Sequence, residues 1–183
     1  MNRDKRVVCL GDSITWGFPF GPNYSWVKML SESIPATFIN EGINGDTTGN
    51  MLRRFDKSVL RHSPTHVVIM GGINDIMLRE SLDRIQYNIG QMLDRAEAHG
   101  LQVILGIPTA VDYPEAERRL EKLRHWLRSE AEKRQIPVID FSQAFFNPDG
   151  SVRTDLLLPD GGHPTKEGYQ EMFKQIDLSI FSV

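Results

Sequence analysis

Val7-Val8-Cys9-Leu10-Gly11-Asp12-Ser13-Ile14-Thr15-Trp16-Gly17 joins an apolar run to a short polar turn. Four successive apolar residues without alternation describe a strand covered on both faces, as in parallel sheets. The run stops at a glycine, an acid and a serine, and a second glycine follows four residues beyond the serine. A serine so placed lies on the rim of the sheet, where open α/β sheets hold their ligands. The same serine has a plainer reading as the cap of the next helix. Stretches further along the chain weigh on that choice.

Runs like the one at residues 6–10 recur at 37–40, 66–70, 102–105 and 138–140. Helical stripes lie between them. Met51, Leu52, Phe55 and Val59 share one face, and Leu82, Ile85, Ile89, Met92, Leu93 and Ala96 share another, ended by Gly100. Leu120, Leu123, Trp126, Leu127 and Ala131 form a third stripe, stopped by Ile136-Pro137. A last helix is expected from Thr165 through Met172, Phe173 and Ile176, and a weaker one over 25–33. Strands alternating with helices give βαβ units and a parallel sheet. With right-handed crossovers the result is a three-layer α/β/α sandwich, five strands in the flavodoxin-like order 2-1-3-4-5. No repeat, low-complexity segment or linker divides residues 1–183, so one domain is expected. The connections at 106–114 and 141–163 are long, the second more than a compact domain usually carries without a functional reason.

The 183 residues suffice for a proper core. A formal charge of −3 offers no basic footprint, which argues against nucleic acid as a partner. Cys9 is the single cysteine and lies in a strand, so neither an internal disulfide nor a thiolate metal site is expected. No run approaches the ~18 apolar residues of a membrane span. The charged start, Met1-Asn2-Arg3-Asp4-Lys5-Arg6, is followed by too short an apolar run for a signal peptide. A cytoplasmic location is the default reading, and the oligomeric state stays open.

Three further stretches bear on Ser13. Gly42-Ile43-Asn44-Gly45-Asp46-Thr47-Thr48 follows the second strand, and Gly45 offers a backbone N–H that no side chain shields. Gly71-Gly72-Ile73-Asn74-Asp75 follows the third, and Asn74 brings a side-chain amide donor. Gly45 by itself says little, and the Asn74 stretch taken alone reads better as a turn. In the strand order above, however, Ser13 and Asn74 end the neighbouring strands that flank the topological switch point. Asp160-Gly161-Gly162-His163-Pro164 precedes the last helix. Its glycines let the chain fold tightly enough for the Asp160 carboxylate to reach the His163 imidazole, and Pro164 holds His163 out of helical geometry.

Together GDSITWG, GINGD, GGIND and DGGHP resemble the four sequence blocks of the SGNH (GDSL-type) hydrolases, in the right order from residue 11 to 164. The likeness is nearest to the small lysophospholipase-like and arylesterase-like members. It implies the SGNH hydrolase fold, with the namesake residues at Ser13, Gly45, Asn74 and His163 and the supporting acid at Asp160. The G-x-S-x-G elbow of α/β-hydrolases is absent, since residue 15 is Thr.

A serine hydroxyl attacks only once a base takes its proton. The resemblance implies Ser13 as nucleophile, His163 as general base and acid, and Asp160 as the group that orients the imidazole. It also implies an oxyanion hole built from the N–H groups of Ser13 and Gly45 and the Asn74 amide. Asp12 and Asp75 read as loop-structuring residues and Asp155 as a reserve acid, whereas His62, His66, His99 and His125 read as bystanders. Trp16, Phe18 and Tyr113 are candidates for substrate contact. Phe20, Tyr24, Phe145, Phe146, Leu156, Leu157 and Leu158 offer either a pocket or lid, or loop packing on the sheet edge. The expectation is a serine ester hydrolase without cofactor or metal, acting on a small to medium acyl ester or thioester. A carbohydrate O-acetylesterase is the rival within the family. A flavodoxin-like binding module without chemistry is the rival outside it, and an inactive scaffold stays open as well.

Overall fold

The apolar run after Lys5 forms β1 (Arg6–Gly11), and Val7 through Leu10 have no exposed surface at all. Such a strand needs a neighbour on each side and a helix layer on each face. The computed structural model describes residues 5–181; of the charged N-terminal stretch, residues 1–4 lie outside it. Short α1 (Ser13–Trp16) and α2 (Trp26–Ser33) lead to β2 (Thr37–Gly42). Next come α3 (Thr48–Arg53), α4 (Phe55–Ser58), β3 (His66–Met70), α5 (Ile73–Met77) and α6 (Leu82–Ala98). β4 (Gln102–Ile107), α7 (Pro114–Arg134), β5 (Val138–Asp140) and α8 (Lys166–Lys174) complete the order.

All five strands are parallel, in the order β2-β1-β3-β4-β5. This is the topology expected from the alternation of strands and helices. Gly11 pairs with Gly42 on one side and Met70 on the other, so the ends of β1, β2 and β3 are level. α2 packs with α8, and α6 packs with α3 and α7, which places helices on both faces.

Three strands run one or two residues beyond their expected ends, into Gly11, Gly42 and Ile107. Gly42 is needed there: a Cβ on it would stand 2.2 Å from the backbone nitrogen of Trp16. Its absence lets α1 lie directly on the end of β2. The stripe from Met51 to Val59 is not one helix, because Arg54 breaks it at φ −96°, ψ 6°. The 141–163 connection is well packed. Phe141, Phe145, Leu156 and Leu157 are buried in the core, and short 3₁₀ turns occupy Phe141–Phe145 and Thr154–Leu156.

Candidate active site

Ser13 is the first residue of α1, and the helix cap is its neighbour: Asp12 Oδ1 accepts the N–H of Ile14 at 2.9 Å. The serine side chain is therefore free of capping duty. Its Oγ lies 2.9 Å from His163 Nε2. The Ser13 N–H, in the first turn of a helix, has no intrahelical acceptor.

The 160–163 loop holds the Asp160 carboxylate by its own backbone. Asp160 Oδ1 accepts the N–H groups of Gly162 and His163, at 3.0 and 2.9 Å. Its other oxygen, Oδ2, meets His163 Nδ1 at 2.6 Å. Gly161 turns the chain at φ 70°, and a Cβ there would press on the Tyr113 ring at 3.1 Å. That ring crosses the loop so that the Tyr113 hydroxyl donates to Asp160 O at 2.8 Å, while Asp112 N–H donates to Gly161 O at 2.7 Å. Partial burial pushes the Asp160 carboxyl up. The two N–H groups and the imidazole together outweigh it and hold the carboxyl below its usual range.

Asn74 stands in the first turn of α5, and its Nδ2 donates to Asp46 O at 2.8 Å. An amide nitrogen carries two protons, so a second remains for another acceptor. Gly45, at φ 80°, precedes Asp46 in an exposed turn.

Ser13, Asn74, Tyr113, Asp160 and His163 border one cleft of about 270 Å³. Ile14, Ile73, Met77 and Val111 supply its apolar wall. Ile73 and Met77 flank Asn74 on α5, and Val111 comes from the long 106–114 connection, so position in the chain was the only signal for them. Gly45, Trp16 and Phe18 do not line the cleft. Phe18 packs against His163, its ring 4.5 Å from the imidazole, and its carbonyl accepts the Tyr169 hydroxyl at 2.8 Å. Phe20 and Tyr24 gather round the Lys166 ammonium instead. Asp75 accepts both the N–H and the hydroxyl of Thr48, and exposed Asp155 pairs with Arg153. His62 meets Glu41, His66 meets Thr65, His99 meets Arg95 O, and His125 is exposed. Among the described residues, no group of three or more His, Cys, Asp or Glu side chains is placed to hold a metal ion, and no helix is long and apolar enough to cross a membrane.

Asp12 also borders the cleft, and burial pushes its carboxyl up to about 6. The Ile14 N–H and His163 pull the other way, and Asp75 and Asp46 add to the rise. The fold thus binds this proton more tightly than the unfolded chain does. The stability so gained is complete below the ordinary value of 3.8 and is lost as pH rises through about 6. Asn caps a helix as well as Asp and carries no charge. Asp12→Asn is expected to raise the melting temperature by about 5 °C at pH 8, from about 2 kcal/mol, and to change it little at pH 4. Thermal melts at the two pH values check this. A lower melting point at pH 8 would mean that the charge itself holds the turn.

Residues 9–171 match the GDSL-like Lipase/Acylhydrolase family. The arylesterase of Vibrio mimicus is 26% identical over 168 residues, covering 89% of this chain and 82% of that protein. A G-D-S-L family protein from Desulfitobacterium hafniense superposes with a TM-score of 0.86 at 29% identity, over 94% of this chain and 97% of its own. The lipase/acylhydrolase from Enterococcus faecalis gives 0.84 at 28% identity, over 97% and 96%. The match takes in all four blocks, from the Gly-Asp-Ser turn to the Asp-Gly-Gly-His loop, and the chain belongs to the GDSL-like lipase/acylhydrolase family.

Proposed function

We propose that the protein hydrolyses small to medium acyl esters or thioesters through an acyl-enzyme on Ser13. The observation that carries this reading is the relay from Ser13 Oγ to His163 Nε2 and from Nδ1 to Asp160, with both contacts inside hydrogen-bonding distance. Ser13 Oγ attacks the carbonyl carbon as its proton passes to Nε2. The anionic tetrahedral intermediate then collapses, and the leaving alcohol or thiol takes that proton. A water repeats the sequence on the acyl-enzyme and returns Ser13 to its starting state. The negative oxygen faces the N–H groups of Ser13 and Gly45 and the free proton of Asn74 Nδ2. The apolar wall of Ile14, Ile73, Met77 and Val111 favours an acyl chain over a sugar ring. The volume, at the lower end for ligand pockets, favours a short chain.

The test is intact-mass labelling with a fluorophosphonate, followed by a panel of p-nitrophenyl esters. One adduct is expected, lost in Ser13→Ala, with turnover falling as the acyl chain grows from acetyl towards dodecanoyl. An adduct that survives Ser13→Ala would place the nucleophile elsewhere. No adduct on folded protein would support the binding-module reading.

A further inference from the structure

We propose that Arg54 is a positioning residue for the oxyanion hole, acting through Asp46; the inference rests on the reading of Ser13, Gly45 and Asn74 as the donors. Arg54 sits at the break between α3 and α4, and its side chain turns in beneath the carboxyl ends of the strands. Nη2 donates to Gly11 O at 2.9 Å and to Glu41 O at 2.8 Å, which joins the ends of β1 and β2. Nε donates to Asp46 Oδ2 at 2.6 Å. Nη1 is held by Ser58 Oγ at 3.0 Å and, more loosely, by the Glu41 carboxylate. The pair with Asp46 is largely shielded, with side-chain exposures of 14% and 10%.

Every donor has a support on this guanidinium. Ser13 follows two residues after Gly11, whose carbonyl Arg54 holds. Gly45 is joined directly to Asp46. The Asn74 amide is aimed by Asp46 O.

The turn that carries Gly45 has little else to hold it. Ile43 is 43% exposed, and no atom lies within 4 Å of where a Gly45 Cβ would be. Its remaining ties are Ile43 N–H to Gly11 O and Asp46 N–H to Ile43 O, both at 3.2 Å. Packing therefore leaves the direction of the Gly45 N–H free, and the short ion pair behind the turn fixes it. The task needs a planar fork that reaches two carbonyls and a carboxylate at once, which a lysine ammonium cannot reproduce.

The experiment measures kcat and KM for p-nitrophenyl acetate in Arg54→Lys, Asn74→Ala and the double variant. Misdirected donors fail the transition state and spare ground-state binding. Arg54→Lys is therefore expected to lower kcat by about 10- to 100-fold, with KM within about threefold of the parent. Asn74→Ala is expected to lose about 10²–10³. In the double variant the further loss caused by Arg54→Lys is expected to shrink only in part, because one of the three donors it supports is gone while those of Gly45 and Ser13 remain. Parent-like kcat in folded Arg54→Lys, or a loss confined to KM, would each overturn the proposal. An unharmed Asn74→Ala would instead overturn the donor assignment beneath it, so the two failures are distinct. Should Arg54→Lys not fold, Asp46→Asn tests the same contact while keeping the carbonyl that holds Asn74. A comparable fall in kcat supports the clamp, and parent-like turnover overturns it.

Discussion

Ser13→Ala is expected to lower ester turnover by about 10⁵–10⁶-fold and to leave the melting temperature within a few degrees of the parent. The size of the loss follows from the proposed mechanism: without Oγ no acyl-enzyme would form, and only the proposed oxyanion donors and binding would be left to help water. The small structural effect follows from the contacts. Among the described residues Ser13 Oγ has His163 Nε2 as its one hydrogen-bond partner, and Asp12, not Ser13, caps α1. Rates on p-nitrophenyl acetate, with thermal melts alongside, check both halves. A variant that keeps more than a hundredth of the parent rate would remove Ser13 from the bond-forming step.

Asp160→Asn is expected to cost about 10⁴-fold in kcat, more than Asp160→Ala. Oδ1 of Asp160 is committed to the N–H groups of Gly162 and His163. An asparagine must keep its oxygen there, since its NH₂ cannot accept those protons. The NH₂ is then forced to face His163 Nδ1 and donate to it. The imidazole responds by placing its own proton on Nε2, the atom that accepts from Ser13 in the proposed mechanism. Alanine imposes no such tautomer and lets water reach Nδ1. Parallel kcat measurements on the two variants decide the matter; equal losses would mean that the carboxylate acts through charge alone.

The layers and strand order were legible because each strand is a short unbroken apolar run and each helix carries one clear stripe. The ends were less so. Gly11, Gly42 and Gly106 look like stops, yet they lie within their strands, at positions where neighbouring atoms come too close for a Cβ. Arg54 was invisible as a break, since arginine is a good helix former and what it answers to, two carbonyls and a carboxylate, comes from other parts of the chain. The aromatic residues of the 141–163 connection were equally ambiguous: Phe145 turns into the core, which only its distance from the sheet decides.

The site residues that sequence singled out most sharply are those with local grammar. Asp160 and His163 are joined within four residues, and Ser13 and Asn74 each follow a strand end. The contact between Tyr113 and Asp160 O has no such grammar, because it links two connections 47 residues apart. Trp16 and Phe18 were named for their nearness to Ser13 in sequence. The tight turn after α1 carries Phe18 against the imidazole and leaves the cleft wall to Ile73, Met77 and Val111.

The hydrogen bond between Ser13 and His163 spans 150 residues of chain. Contacts of such sequence separation close late, because the loop entropy they cost must be met by structure already formed. During refolding, the helices and the four longer strands can assemble without this bond, whereas on the proposed mechanism ester turnover waits until it closes. Recovery of activity after dilution from urea is therefore expected to time the docking of the 158–163 segment and α8, and to trail the return of the circular dichroism signal.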